Sequence, residues 1–154
     1  MMTAPLYLDR DFYDLLANSY HRFVGVPLVD GETACADVVR WLYEEAPFCV
    51  LAHNSDVDPR FIYANRTAQR CFGYDWDGMI SLRSRLSAEQ PNRDERERML
   101  KLVHLCGFAT GYRGLRISSS GRRFWINDVT VWNLIDQNGE FHGQAAIYRH
   151  TVDA

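Results

Sequence analysis

Three runs of aromatic and β-branched residues dominate the C-terminal third of the chain. They lie in the segment YRGLRISSSGRRFWINDVTVWNLIDQNGEFHGQAAIYR, where the turn sequences SSSG and DQNG separate them. Val, Ile, Phe, Trp and Tyr suit the half-buried surface of a pleated sheet, and Ser, Asn and Gly suit tight reversals. The pattern therefore predicts a three-stranded antiparallel meander, with strands near 111–118, 122–135 and 140–150.

Two further strands and a group of helices are predicted upstream of the meander. The strands lie near 48–53 and 61–64, and the turn-rich sequence NSDVDP joins them. Asn65 stands where an N-cap can accept from free backbone N–H groups, and Gly73 stands where that helix ends. A longer helix over 92–106 has an apolar face formed by Met99, Leu100, Leu102, Val103 and Cys106. The order of elements predicts an α+β fold, a five-stranded antiparallel sheet with helices on one face.

Two amphipathic helices are predicted before this core, over Asp9 to Phe23 and Thr33 to Glu45. Residues 1–45 thus form an N-terminal helical extension, and residues 46–154 form the core domain. The apolar residues of the extension are Phe12, Leu15, Leu16, Tyr20, Val38, Trp41 and Leu42. Either the chain's own sheet covers these side chains, or a second copy covers them in a homodimer.

Composition and charge exclude several functional classes. The net charge is only −3, so we expect no nucleic-acid partner. Arg93, Arg96 and Arg98 alternate with acidic residues, a pattern typical of a solvated helix face. We expect no secretory signal, and the apolar runs of the chain are far shorter than the roughly 20 residues that span a bilayer. Widely spaced cysteines without metal-ligand spacing predict reduced thiols in a soluble cytoplasmic protein.

Several separated strings point to one family. They are HNSDVDPRFIYAN, SRLSAE, ERERML, GYRGLRISSSGRRFWI, VWNLID and GEFHGQAA. In this order and spacing they resemble the MEKHLA domain, a PAS-like domain found in plant class III homeodomain leucine-zipper proteins and as small free-standing proteins in bacteria and algae. The resemblance covers roughly Ala46 to Tyr148 and extends more loosely into the N-terminal helices. It implies a sensory or regulatory module that binds a small ligand inside the fold, or a protein on the outer sheet face. A ligand-free dimerisation module is the alternative.

Part of the meander also resembles flavin-binding photosensor PAS domains, in which amides on the last strands contact the flavin ring. The matching residue types are Asn127, Asn133 and Gln144. In the segment RSR, Arg85 matches a phosphate-binding arginine, and Ser84 stands in the place of the reactive cysteine. A bound flavin is therefore expected to form no thiol adduct, because a serine hydroxyl is a far weaker nucleophile than a thiolate. The alternative is that these amides satisfy the chain's own strand ends and turns.

Haem is the second candidate cofactor. His104 lies on the long predicted helix, and a neutral imidazole can ligate iron. It could equally be a half-buried surface residue, and His53 and His142 are less specific still. Scattered histidines, together with the absence of a nucleophile-elbow sequence or a phosphate-binding loop, predict that the protein is not an enzyme. No further metal site is predicted.

Overall fold

The computed structural model describes residues 4–31, 37–90 and 92–154. Within these ranges the helices are α1 Arg10–Val24, α2 Val38–Glu44, α3 Arg66–Phe72, α4 Trp76–Ile80 and α5 Asn92–Cys106, with 3₁₀ turns at Leu6–Leu8 and Ser84–Ser87. The strands are β1 Cys49–His53, β2 Phe61–Ala64, β3 Phe108–Ile117, β4 Arg123–Ile135, β5 Phe141–Tyr148 and β6 His150–Asp153. In the described residues no helix is long and apolar enough to cross a lipid bilayer.

The strands form one antiparallel sheet in the order β2-β1-β5-β4-β3. The predicted antiparallel sheet is confirmed, but the described part of the chain contains six strands rather than five. The last predicted strand ends at Tyr148, and β6 follows it along the same edge of β4. This is possible because β4 is 13 residues long, whereas β5 is only 8 residues long. The end of β4 that β5 leaves unpaired can therefore accept another strand.

A β-bulge divides β4 into two halves. Tyr112 of β3 pairs with Val129 of β4, and Gly114 of β3 pairs with Ile126 of β4. The two β3 residues are two positions apart, whereas their partners on β4 are three positions apart. The extra residue is Asp128, whose φ of 51° lies in the left-handed region that aspartate tolerates better than most side chains. The alternation of side chains between the two faces of the sheet consequently shifts by one residue at the bulge.

Helices cover both faces of the sheet. The inner face packs against α3, α4 and α5, and this core includes Phe72, Met79 and Val103. The outer face packs against α1 and α2. At its centre the fully buried Trp132 lies edge-on to the ring of Tyr20, with ring centroids 4.9 Å apart. Helices α3, α4 and α5 thus share one face, and the N-terminal extension occupies the other.

The chain covers the apolar surface of its own extension. Phe12, Leu16, Val38 and Leu42 are buried in the outer core, and the other predicted apolar residues of the extension are half-buried against it. Burial of these side chains therefore requires no second copy. The predicted start of the second helix at Thr33, and Cys35 with it, lie outside the described residues.

The long helix α5 turns a different face to the sheet than the one predicted. Arg96 and Val103 are buried, whereas Leu102 and Cys106 are exposed. The prediction of a solvated Arg96 is therefore wrong. Residues three, four and seven positions apart share one side of a helix, so Arg96 lies on the same side as Met99, Leu100 and Val103.

Candidate ligand-binding site

A small cavity lies between the inner face of the sheet and helices α3 and α5. Its volume is about 60 Å³, which is room for a few water molecules or one very small organic molecule. Apolar side chains form most of its wall, and they include Leu51, Phe61, Phe72, Met99, Ile126, Val129 and Val131. The polar groups in the wall are therefore few, and each can determine how a ligand is oriented.

A row of buried polar side chains from three neighbouring strands adjoins the cavity, and His53 and Gln144 of this row line it. The strand register places His53 of β1 opposite Gln144 of β5, and Gln144 opposite Asn133 of β4. Gln144 Oε1 lies 3.0 Å from His53 Nε2, and Gln144 Nε2 donates to Asn133 Oδ1 at 3.2 Å. On the other side of the imidazole, Ser84 Oγ lies 3.1 Å from His53 Nδ1. All four residues are buried.

The hydrogen bonds assign the proton of His53. Gln144 Oε1 can only accept, so Nε2 of His53 carries the hydrogen, and Nδ1 accepts from the Ser84 hydroxyl. Burial, and then the positive charge of Arg96, lower the pKa of His53 to about 4. The imidazole is therefore neutral at physiological pH.

Two buried arginines lie in another part of the wall. Arg96 of α5 is 6% exposed and Arg116 of β3 is 5% exposed, and both line the cavity. Arg116 donates to the Leu115 carbonyl at 2.9 Å and to Tyr112 Oη at 3.2 Å. Burial, followed by repulsion from Arg116, lowers the pKa of Arg96 to about 10. The guanidinium group of Arg96 remains charged at neutral pH.

The sequence as a whole matches one family. The family model of the MEKHLA domain matches residues 10–152, nearly the whole chain. The chain belongs to the MEKHLA domain family. The match includes α1 and α2, so the helices on the outer face are part of the region that defines this MEKHLA domain. No curated protein sequence matches the chain.

Solved structures similar to this MEKHLA domain are PAS and light-oxygen-voltage (LOV) domains. A PAS domain from Colwellia psychrerythraea is 13% identical with a TM-score of 0.60, over 73% of this chain and 90% of that one. The LOV domain of a blue-light activated histidine kinase from Erythrobacter litoralis is 23% identical with a TM-score of 0.56, over 71% of this chain and 97% of that one. An RNA-binding light-oxygen-voltage receptor is 16% identical with a TM-score of 0.64, over 83% of this chain but 36% of that one. These matches show the PAS fold.

The structure does not bring the five residues predicted to contact flavin together around the cavity. Gln144 lines it. Asn133 lies beside Gln144, but its amide nitrogen donates to the carbonyls of Val103 and His104 at the end of α5. Asn127 follows the inward-facing Ile126 and lies on the outer face, where its Oδ1 accepts from the exposed Arg113. The bulge at Asp128 puts Asn133 on the opposite face.

The other two predicted residues are also engaged elsewhere. Ser84 is fully buried and bonded to His53. Arg85 is on the surface, where its Nε lies 3.1 Å from Asp58 Oδ1. The residues present therefore do not fit a flavin, since the amides serve the chain's own structure and the cavity of about 60 Å³ is well below the roughly 300 Å³ at which ligand pockets usually begin. No cysteine is among the described residues that line the cavity.

His104 faces away from the cavity. It is exposed on α5, and its ring packs edge-on against Phe141 with centroids 4.7 Å apart. The interior therefore offers no haem ligand at this position.

A group of possible metal ligands lies on the β4–β5 hairpin, where Asp136, Glu140 and His142 come close together. Both carboxylate oxygens of Asp136 are already bonded within that turn.

Sequence reasoning missed the two arginines and the histidine, and only the arginines carried a local signal. Arg96 precedes Met99, Leu100 and Val103 at helical spacing, which places it on the apolar side of α5. Arg116 lies two residues after Gly114, so alternation along β3 gives the two positions the same face. His53 has no such signal, because its partners are defined by strand register.

Proposed function

We propose that this MEKHLA domain is a sensory or regulatory module that binds a small molecule in the cavity beneath α5 and passes the binding state to a protein contact. The supporting observation is the cavity wall itself, which is apolar except for buried polar and charged side chains that face the same space. Buried groups of this kind are costly unless something satisfies them. A module of this kind would act in the cytoplasm, as the sequence leads us to expect.

Helix α5 connects the cavity to the surface. Its inner side supplies Arg96, Met99 and Leu100 to the cavity wall. On its outer side Leu102 is 62% exposed and Leu105 is 79% exposed. A ligand that shifts α5 would therefore move an apolar surface patch that a protein partner can read.

The proposal includes no catalysis. Ser84, His53 and Gln144 are bonded in the order of a nucleophile, a base and an orienting group. His53 is nevertheless a weak base, because burial lowers its pKa to about 4. Ser84 is not among the described residues that line the cavity, so a bound molecule would not reach its hydroxyl.

A thermal-shift screen of the purified full chain tests ligand binding. The screen uses neutral, cationic and anionic small molecules on the wild type and on Ala146→Leu, which places a larger side chain in the cavity wall. Thr151→Leu on the exposed strand β6 is the control. At least one class should raise the melting temperature of the wild type and the control but not of Ala146→Leu. A screen in which no compound does so contradicts the proposal.

A ligand-free interaction module is the second candidate, and the exposed leucines of α5 favour it. Light scattering distinguishes it, because a contact between copies gives a mass that rises with protein concentration.

An absorption spectrum tests the flavin and haem alternatives. We expect no visible band, and a band that co-purifies with the protein would instead indicate a bound flavin or haem.

A further inference from the structure

Among the described residues, no carboxylate that faces the cavity pairs with either of the two cavity arginines. Asp and Glu are absent from the described residues of the wall. Among the described contacts of Arg96, the ion pair is to Glu97, at 3.5 Å between Nη1 and Oε1. The Glu97 side chain is half exposed and follows Arg96 directly along the helix. Its carboxylate therefore balances the charge of Arg96 from the solvent side of the cavity wall and not from within the cavity.

Tyr112 separates the other nearby carboxylate from the arginines. Its hydroxyl donates to Glu95 Oε2 at 2.9 Å and accepts from Arg116 Nη2 at 3.2 Å. The carboxylate of Glu95 therefore acts on Arg116 through the phenol. Two like charges remain close together in an apolar surrounding, an arrangement that is unfavourable unless an anion joins them.

A glycine makes room for this arrangement on β3. A Cβ atom at Gly114 would lie 2.5 Å from Tyr112 Oη and 2.6 Å from Arg116 Nη1. Both distances are far inside van der Waals contact. The absence of a side chain at position 114 leaves room for the ends of the Tyr112 and Arg116 side chains, which both line the cavity.

We propose that the cavity binds a short organic carboxylate, whose charged group is held by Arg96 and Arg116 and whose few carbon atoms lie against the apolar wall. This inference rests on the proposed function and names its ligand class. A planar guanidinium matches a carboxylate in a two-point hydrogen bond. The wall offers few further donors and the volume is about 60 Å³, so a multiply charged phosphate is less well matched than a monoanion with a short carbon chain.

The test measures binding to the full-length protein by calorimetry and thermal shift at constant ionic strength near pH 7. The probes are the sodium salts of acetate, propionate and butyrate. Propionamide is the neutral counterpart, inorganic phosphate is the alternative anion, and chloride adjusts the ionic strength. We expect saturable binding of at least one carboxylate and none of propionamide or phosphate.

Variants assign the binding to the arginines. Arg96→Met removes the charge but keeps the chain length, and Arg98→Met on the exposed side of the same helix is the control. Carboxylate binding should weaken about 10-fold or more in Arg96→Met and stay unchanged in the control. Arg96→Met should be at least as stable as the wild type without ligand, because a buried charge has been removed. Gly114→Ala should also weaken binding, although both charges are kept.

Four results would overturn the carboxylate assignment. Equal binding of propionate and propionamide, or full carboxylate affinity in Arg96→Met, would leave a ligand-binding module of another class, so the proposed function would survive. Phosphate binding that is tighter than carboxylate binding and is lost in Arg96→Met would leave an anion site of different chemistry. If neither these probes nor the wider screen gives binding that Ala146→Leu abolishes, the inference and the proposed function are both wrong.

Discussion

At the scale of single residues, His53 joins parts of the molecule that are far apart in the sequence. Its imidazole contacts Gln144, which is 91 residues away, and Ser84, which is 31 residues away. Both contacts use the neutral ring, with one nitrogen donating and the other accepting. Protonation would make both nitrogens donors and would place a second charge near Arg96. Burial and the charge of Arg96 therefore keep the imidazole of His53 neutral.

Stability should consequently fall in acid through His53. Its pKa is about 4 in the folded protein, against about 6.5 in an unfolded chain. Below pH 6.5 the unfolded state takes up a proton that the folded state does not. The contribution of His53 is therefore complete above about pH 6.5 and is lost toward pH 4, by about 3 kcal/mol in all.

Denaturant unfolding between about pH 4 and pH 7 checks this prediction. His53→Gln keeps a neutral polar side chain but cannot titrate, so its free energy of unfolding should depend less steeply on pH than that of the wild type. His21→Gln, at an exposed position of α1, is the matched control and should keep the wild-type slope. If the His53→Gln curve runs parallel to the wild-type curve, the proposed role of His53 is wrong.

At the scale of elements, the β4–β5 hairpin shows how a turn fixes strand register. Asp136 Oδ1 accepts from the backbone N–H groups of Asn138 at 2.8 Å and of Glu140 at 3.0 Å. Gly139 has a φ of 80°, and its N–H donates to the Asp136 carbonyl. This turn sets which residues of β4 and β5 face each other, including Asn133 and Gln144.

Gly139→Val should lower the free energy of unfolding by about 1 kcal/mol or more, because a β-branched residue is strained at positive φ. A side chain at this position would meet no atom within 4 Å, so the cost comes from the backbone alone. Gly31→Val is the matched control, since Gly31 also has open space around it but no positive φ. A melting temperature that is the same in Gly139→Val and the wild type would contradict this.

At the scale of the whole molecule, the sheet is a central layer with helices on both sides. Helix α1 is attached to the sheet by apolar packing and by one polar contact at its centre. Ser19 Oγ donates to the Ile135 carbonyl and accepts from the Ile135 N–H, each at 3.0 Å. Because α1 completes the outer core, we expect it to unfold together with the sheet.

Leu16→Ala tests whether α1 covers its own sheet. Leu16 is fully buried, so truncation should cost about 3 kcal/mol. The change should appear as one transition whose midpoint is independent of protein concentration. Asn18→Ala, at an exposed position of the same helix, should stay within about 0.5 kcal/mol of the wild type. A midpoint that rises with protein concentration would instead indicate the predicted homodimer through these helices.

The sequence by itself determined the elements and the fold class. Alternating apolar runs and turn residues define β3, β4 and β5, since period-two patterning and positive-φ glycines act locally. Asn65 was predicted as the N-cap of α3, and its Oδ1 accepts from the Ala68 N–H at 3.1 Å. The resemblance to the MEKHLA domain is confirmed by a match over residues 10–152.

Only the tertiary structure decided the cavity and its chemistry. Local alternation gives Asn127 and Asn133 the same face of β4, but the bulge at Asp128 places them on opposite faces. Local charge patterning predicts that Arg96 is exposed to solvent, but the packing of α5 on the sheet buries it beside Arg116. A cavity is formed by side chains from separate strands and helices, so its composition depends on strand register and on helix packing, which contacts between distant segments of the chain decide.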